Sequence, residues 1–142
     1  KRVLNLLLVE DHLPDIVLTK KAFERGNFPY RLTVARDGEE AIDLLYGNKH
    51  KKIEAELPDI ILLDINLPKI SGYEVLEKIK KDAKLMHIQV IMLTSSSEEQ
   101  DVLRSYRLHA NSYLVKPSSI SKFVEIVNCV EGLWFKIANL NN

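Results

Sequence analysis

The chain has 142 residues, 46% of them hydrophobic and 28% charged, with 20 basic side chains against 20 acidic ones. That is the size and composition of one globular domain with a substantial core. A formal net charge of zero excludes a global bias towards nucleic acid or an anionic membrane surface, and no apolar run approaches the roughly 20 residues that span a bilayer. No signal-peptide pattern opens the chain, whose first residue, Lys1, reads as a trimmed start. The single cysteine, Cys129, excludes an internal disulfide framework and sets the expectation of a reducing, cytoplasmic compartment.

Strand-like and helix-like segments alternate along the chain. Val3 to Val9 is an apolar run ending in Glu10-Asp11. Pro14 to Arg25 reads as a helix stopped by Gly26. Arg31 to Ala35 is β-rich, and Asp37-Gly38 turns into a helix from Glu39 to Tyr46, closed by Gly47. The polar stretch Asn48 to Pro58, with Lys49-His50-Lys51-Lys52, reads as a solvated loop. Ile60 to Asp64 is a third strand, and Ser71-Gly72 opens a helix with Val75, Leu76 and Ile79 on one face. Lys78, Lys80, Lys81 and Lys84 suit its exposed end. Ile88 to Leu93 is a fourth strand, Glu98 to Leu108 a fourth helix, and Ser112 to Val115 a short fifth strand. Ser119 begins a long final helix.

This alternation predicts an α/β fold with a parallel sheet and helices on both faces. Right-handed crossovers favour the flavodoxin-like strand order 2-1-3-4-5. The ends of strands one, three, four and five then share one rim, and carry Glu10-Asp11, Asp64, Thr94-Ser95 and Lys116-Pro117. Asp64 ends four consecutive apolar residues, where an ionised carboxylate is costly unless paired. Three carboxylates from two neighbouring strands repel one another and call for a hard cation, for which Mg²⁺ is suited. Lys116 adds a compact positive charge and Thr94 a hydroxyl. Together these groups suit a phosphoryl group arriving at Asp64 as nucleophile. Each residue also has an ordinary reading: Asp11 as a helix cap, Asp64 as a buried cap, Thr94-Ser95 as a turn and Lys116-Pro117 as a loop. The argument rests on the fold gathering all four ends.

The motifs Leu8-Val9-Glu10-Asp11, Ile61-Leu62-Leu63-Asp64-Ile65-Asn66-Leu67-Pro68, Ser71-Gly72, Met92-Leu93-Thr94-Ser95 and Tyr113-Leu114-Val115-Lys116-Pro117 span nearly the whole chain. In this order and spacing the sequence resembles the receiver domain of two-component response regulators, here as a single domain over residues 1–142 with an extended C-terminal helix. The resemblance implies that Asp64 is the phosphoacceptor. It implies Asp11 and Asp64 as direct Mg²⁺ ligands, Glu10 assisting through water and the Asn66 carbonyl completing the set. Thr94 would be the switch hydroxyl, Lys116 the phosphate-pairing lysine, Tyr113 the aromatic switch, and the peptide before Pro117 cis. Glu10 stands where Asp is commoner, which keeps the charge and lengthens the reach.

A finer resemblance lies in Ser105 to Tyr113 and in Phe123 to Val127 leading to Gly132-Leu133-Trp134. These segments look like the single-domain regulators that partner bacterial phytochromes, implying a phytochrome histidine kinase as phosphodonor. In the final helix Ile120, Phe123, Val124, Val127, Val130 and Trp134 should face the core. Cys129, Ile126, Leu133, Ile137 and Leu140 broaden the apolar surface, and the expectation is a homodimer through Ile126, Leu133, Trp134 and Ile137. Three other function classes fit less well. An aspartyl-nucleophile phosphatase would want an acid where Asn66 stands. A flavin or nucleotide binder would want a phosphate loop in place of Glu10-Asp11-His12-Leu13. A DNA-binding regulator would need a second domain.

Overall fold

A computed structural model describes residues 2–47, 56–95, 99–116 and 120–140, excepting the side chains of 94, 99, 100, 120–122, 139 and 140. The elements follow in strict alternation: β1 Leu4–Val9, α1 Leu13–Glu24, β2 Tyr30–Ala35, α2 Gly38–Tyr46, β3 Ile60–Asp64, α3 Gly72–Lys81, β4 Gln89–Thr94, α4 Glu99–Arg107, β5 Ser112–Val115 and α5 Ile120–Leu140. The five strands are all parallel, in the order β2-β1-β3-β4-β5. This is the doubly wound, flavodoxin-like α/β fold expected from the alternation. The loop expected at 48–55 and the cis peptide expected before Pro117 fall outside the described residues.

The period of two along each strand divides the core into two layers. Leu4, Leu6, Leu8, Ile60, Leu62, Ile91 and Leu93 pack with Ile16 and Phe23 of α1 and with Phe123, Ile126, Val127, Val130 and Trp134 of α5. Leu7, Val9, Ile61, Leu63, Val90 and Met92 pack on the other face with Ala41 and Leu45 of α2 and Val75, Leu76 and Ile79 of α3. Each fully buried Leu or Ile contributes about 2 kcal/mol, so both layers are needed to hold the sheet. Asp64 follows Ile60 and Leu62 in phase, so its side chain points to the α1/α5 side of the rim.

Local chemistry sets the helix starts. Asp37 Oδ1 accepts from the Glu40 amide at 2.8 Å, and Glu40 Oε2 accepts from the Arg36 amide at 3.1 Å. The Glu40 amide first, and Lys69 after it, hold the Asp37 carboxyl below its ordinary pKa. Ser71 Oγ accepts from the Glu74 amide at the start of α3. α1 has no side-chain cap at His12 but has Pro14 in its first turn, where a missing N–H costs nothing.

Three expectations of side-chain burial are corrected. Lys80 is half-buried, its Nζ donating to the Ile88 carbonyl at 2.7 Å, Asn111 Oδ1 at 3.1 Å and the Met86 carbonyl at 3.2 Å. A lysine at the end of a helix can reach the carbonyls of the next loop, which sequence spacing does not reveal. On α5, Val124 is exposed, not core-facing. It lies about 100° round the helix from Phe123, off the stripe drawn by Phe123, Val127, Val130 and Trp134. Ile126, expected at a dimer surface, is buried in the chain's own core, and so is Trp134, which keeps its expected core-facing place, while Leu133 and Ile137 are partly buried at the edge of that core. Among the described residues of α5, Val124 and Phe135 are the exposed large apolar side chains, about 100–120° round the helix from Phe123.

Candidate functional site

The parallel sheet brings the C-terminal ends of β1, β3, β4 and β5 to one rim. Val9 pairs with Leu63, Asp64 with Leu93, and Thr94 with Val115, so Glu10, Asp11 and Lys116 leave the sheet beside Asp64 and Thr94. Carboxylate oxygens of Glu10, Asp11 and Asp64 all lie within 4.8 Å of one another. Glu10 and Asp64 are buried, whereas Asp11 is half-exposed. Asp11 is also fixed through its backbone, its carbonyl accepting from Arg36 Nη2 at 3.0 Å.

Lys116 is the cation of this pocket. Its side chain is 11% exposed, and its Nζ makes ion pairs with Glu10 Oε1, with Asp15 Oδ2 at 3.0 Å and with Asp64 Oδ2 at 3.3 Å. Burial depresses the ammonium's pKa, but Glu10, Asp64 and Asp15 outweigh it, and the net shift is upward. Asp64 moves upward as well, to about 7, first because it is buried and second because Glu10 lies beside it, against the pull of Lys116.

Backbone packing fixes where Asp64 sits. After β3 the chain turns at Ile65, whose carbonyl accepts from the Gly72 amide at 2.8 Å. A Cβ on Gly72 would lie 2.1 Å from the Asp64 carbonyl oxygen and 2.8 Å from the Ile65 Cα, so only glycine lets α3 start this close to the strand end. Lys69, in the same loop, has φ 69° and pairs with Asp37 at 3.5 Å and Glu39 at 3.7 Å.

The remaining expected residues fall around this centre. Asn66 is exposed two residues beyond Asp64. Thr94 closes β4 at the rim, and its side chain lies outside the described residues. Tyr113 is half-buried and packs against the α2/α3 layer of the core. His12 is largely exposed, with its Nδ1 3.0 Å from Asp15 Oδ2. Asp15 was not anticipated. An acid in the first turn of a helix has an adequate local role beside the helix dipole, so nothing local marks it as facing a lysine 101 residues away.

Three carboxylates around one ammonium, with Asp11 beside two of them, leave a negative excess in a small volume. Oxygen-only donors at this spacing suit a hard divalent cation. A buried carboxylate beside such a cation and a lysine is also arranged to take up a phosphoryl group.

A family model, the response regulator receiver domain, matches residues 6–128. The chain belongs to the response regulator receiver family. Receiver domains typically bind a divalent metal, are phosphorylated by a kinase and are generally not catalytic enzymes. Among curated relatives, the chain is 40% identical over 129 residues to the probable methanogenesis regulatory protein FilR2 of Methanothrix harundinacea, covering 91% of this chain and 82% of that protein. It is 36% identical over 135 residues to the response regulator Rcp1 of Synechocystis, covering 95% and 91%. A crystal structure of Mn²⁺-bound Rcp1 superposes with a TM-score of 0.81 at 37% identity over 92% of this chain and 93% of that one. The phosphorylated cyanobacterial phytochrome response regulator RcpA gives a TM-score of 0.84 at 38% identity, over 94% and 95%.

Proposed function

We propose that this receiver is a phosphorylation-controlled signalling switch, with Asp64 the phosphoacceptor. The convergence of Glu10, Asp11 and Lys116 on Asp64 carries this reading. A carboxylate oxygen of Asp64 attacks the phosphorus of a kinase phosphohistidine. The new O–P bond forms as the N–P bond breaks, and the imidazole leaves with the electron pair. Lys116 pairs with the phosphoryl oxygens, and Thr94 supplies a hydroxyl to one of them. Glu10, Asp11, Asp64 and the Asn66 carbonyl would hold Mg²⁺, which supplies charge neutralisation and keeps Asp64 ionised. Tyr113 and Thr94 then move together, altering the surface of α4, β5 and α5. Acyl-phosphate formation and hydrolysis on its own Asp64 are the chain's chemistry, and its output is binding.

The kinase is a sensor histidine kinase, and we propose a phytochrome on the strength of relatives that are phytochrome response regulators. Residues 1–142 act as one receiver domain with a lengthened last helix, in the cytoplasm, without nucleic acid or a membrane as partner. None of the described helices is long and apolar enough to cross a membrane. Self-association as a homodimer through α5 is part of the proposal, drawing on the partly exposed Leu133 and Ile137 and on the exposed Val124 and Phe135.

The test is incubation with acetyl phosphate and Mg²⁺, read by intact mass beside Asp64→Asn. The expected result is one Mg²⁺-dependent phosphoryl adduct, absent from the variant. No adduct, under conditions that label a known receiver, would overturn the reading in favour of a phosphate-independent binding module.

A further inference from the structure

Lys116 Nζ has three N–H donors, and three carboxylates from different elements surround it: Glu10 after β1, Asp15 in α1 and Asp64 at the end of β3. The side chain is nearly out of water, and of its three ion pairs the one with Asp15 has hydrogen-bond geometry. A phosphoryl group arriving on Asp64 competes with these carboxylates for the ammonium, and the contact least costly to release yields to it.

The surroundings decide which. Glu10 is 1% exposed, so losing its cation would leave a buried charge without compensation. Asp64 itself carries the new group. Asp15 has a side chain 22% exposed, and His12 Nδ1 lies 3.0 Å from the same oxygen that Lys116 contacts. Its carboxylate can exchange the lysine for water and keep a neighbour, which makes it the least costly partner to release.

Building on the receiver reading above, we infer that Asp15 is the exchangeable partner of Lys116, a positioning residue that holds the ammonium while Asp64 is bare and surrenders it to the phosphoryl group. The contact links the first turn of α1 to the end of β5. Release of Lys116 then reports phosphorylation to the start of α1, where Leu13 and Val17 are exposed. An acid serving only the helix dipole would show no such dependence on Lys116.

The test is beryllofluoride, a phosphoryl stand-in, titrated with Mg²⁺ into the whole chain by calorimetry. Asp15→Asn removes the competitor and should tighten binding about fivefold, the upper end for one partly exposed ion pair. Asp15→Glu should stay within about twofold of the parent protein. In a Lys116→Met background, Asp15→Asn should change nothing. Amide resonances of residues 13 and 15–17 should shift on binding in the parent protein and stay in place in Asp15→Asn. Thermal melts confirm that each variant is folded. Weaker binding in Asp15→Asn, an equal gain with and without Lys116, or unmoved amides in the parent protein would each overturn the inference. No binding by the parent protein would instead overturn the receiver reading, and this inference with it.

Discussion

Asp64 is a buried acid whose charge the fold opposes. Burial, then Glu10, lifts its pKa from 3.8 to about 7. The native state thus holds this proton more tightly than the unfolded chain does. The resulting stability is full at low pH and is lost as pH rises from about 4 through about 7. Asp64→Asn keeps the shape and removes the charge, leaving Lys116 with Glu10 and Asp15. After solvent screening at the rim, the gain expected at pH 8 without metal is about 2 kcal/mol, or about 7 °C in Tm for a domain of this size. At pH 4.5 Asp64 is still neutral in the native parent protein and only the unfolded chain ionises it, so the gain should shrink to about 1 kcal/mol or less. With Mg²⁺ at pH 8 the parent protein should rise towards the variant, since the cation offsets the charge that the substitution removes. Calorimetric scans at the two pH values, with and without Mg²⁺, measure this. A gain of the same size at pH 4.5 and pH 8, or a variant less stable at pH 8, would refute the account of Asp64 as a charge held against its surroundings.

Gly72→Ala places a Cβ 2.1 Å from the Asp64 carbonyl oxygen, so α3 and the strand end must separate. A loss of about 3 kcal/mol in urea denaturation is expected, with impaired acetyl phosphate labelling of Asp64. His109, at φ 69°, occupies the left-handed region just after α4, and His109→Gly should gain about 0.5–1 kcal/mol by the same assay. Tyr73→Phe removes a hydroxyl that donates to Asp101 Oδ1 at 2.7 Å and ties α3 to α4. It should cost about 1 kcal/mol and raise amide exchange across α4, a result that unchanged exchange would contradict.

The alternation of apolar strands with amphipathic helices was enough to order the sheet, because parallel strands joined by right-handed crossovers have few alternatives. Strand ends were legible for the same reason: β3 and β5 run over Ile60–Asp64 and Ser112–Val115, as their composition implied. From that order, Glu10, Asp11, Asp64 and Lys116 could be placed on one rim before any contact was known. The partners of long side chains were not legible. Lys80 looked solvated because a lysine on a helix end usually is, yet its stem folds back over the Met86–Ile88 turn. Ile126 looked available, and Trp134 looked able to serve a partner as well as the core, because α5 carries more apolar residues than one narrow stripe needs. The sheet spends them in its own core, on a face made broad by contact with α1 as well as the strands.

The sequence by itself determined the fold class and the acidic pocket, since both follow from periodicity and from where strands end. Only the tertiary structure decided that Asp15 shares Lys116 with Glu10 and Asp64, and that Gly72 must lack a side chain. Those facts depend on distances of a few ångströms between elements far apart in the chain. Local propensity cannot encode them, because each residue also satisfies an ordinary local role where it stands.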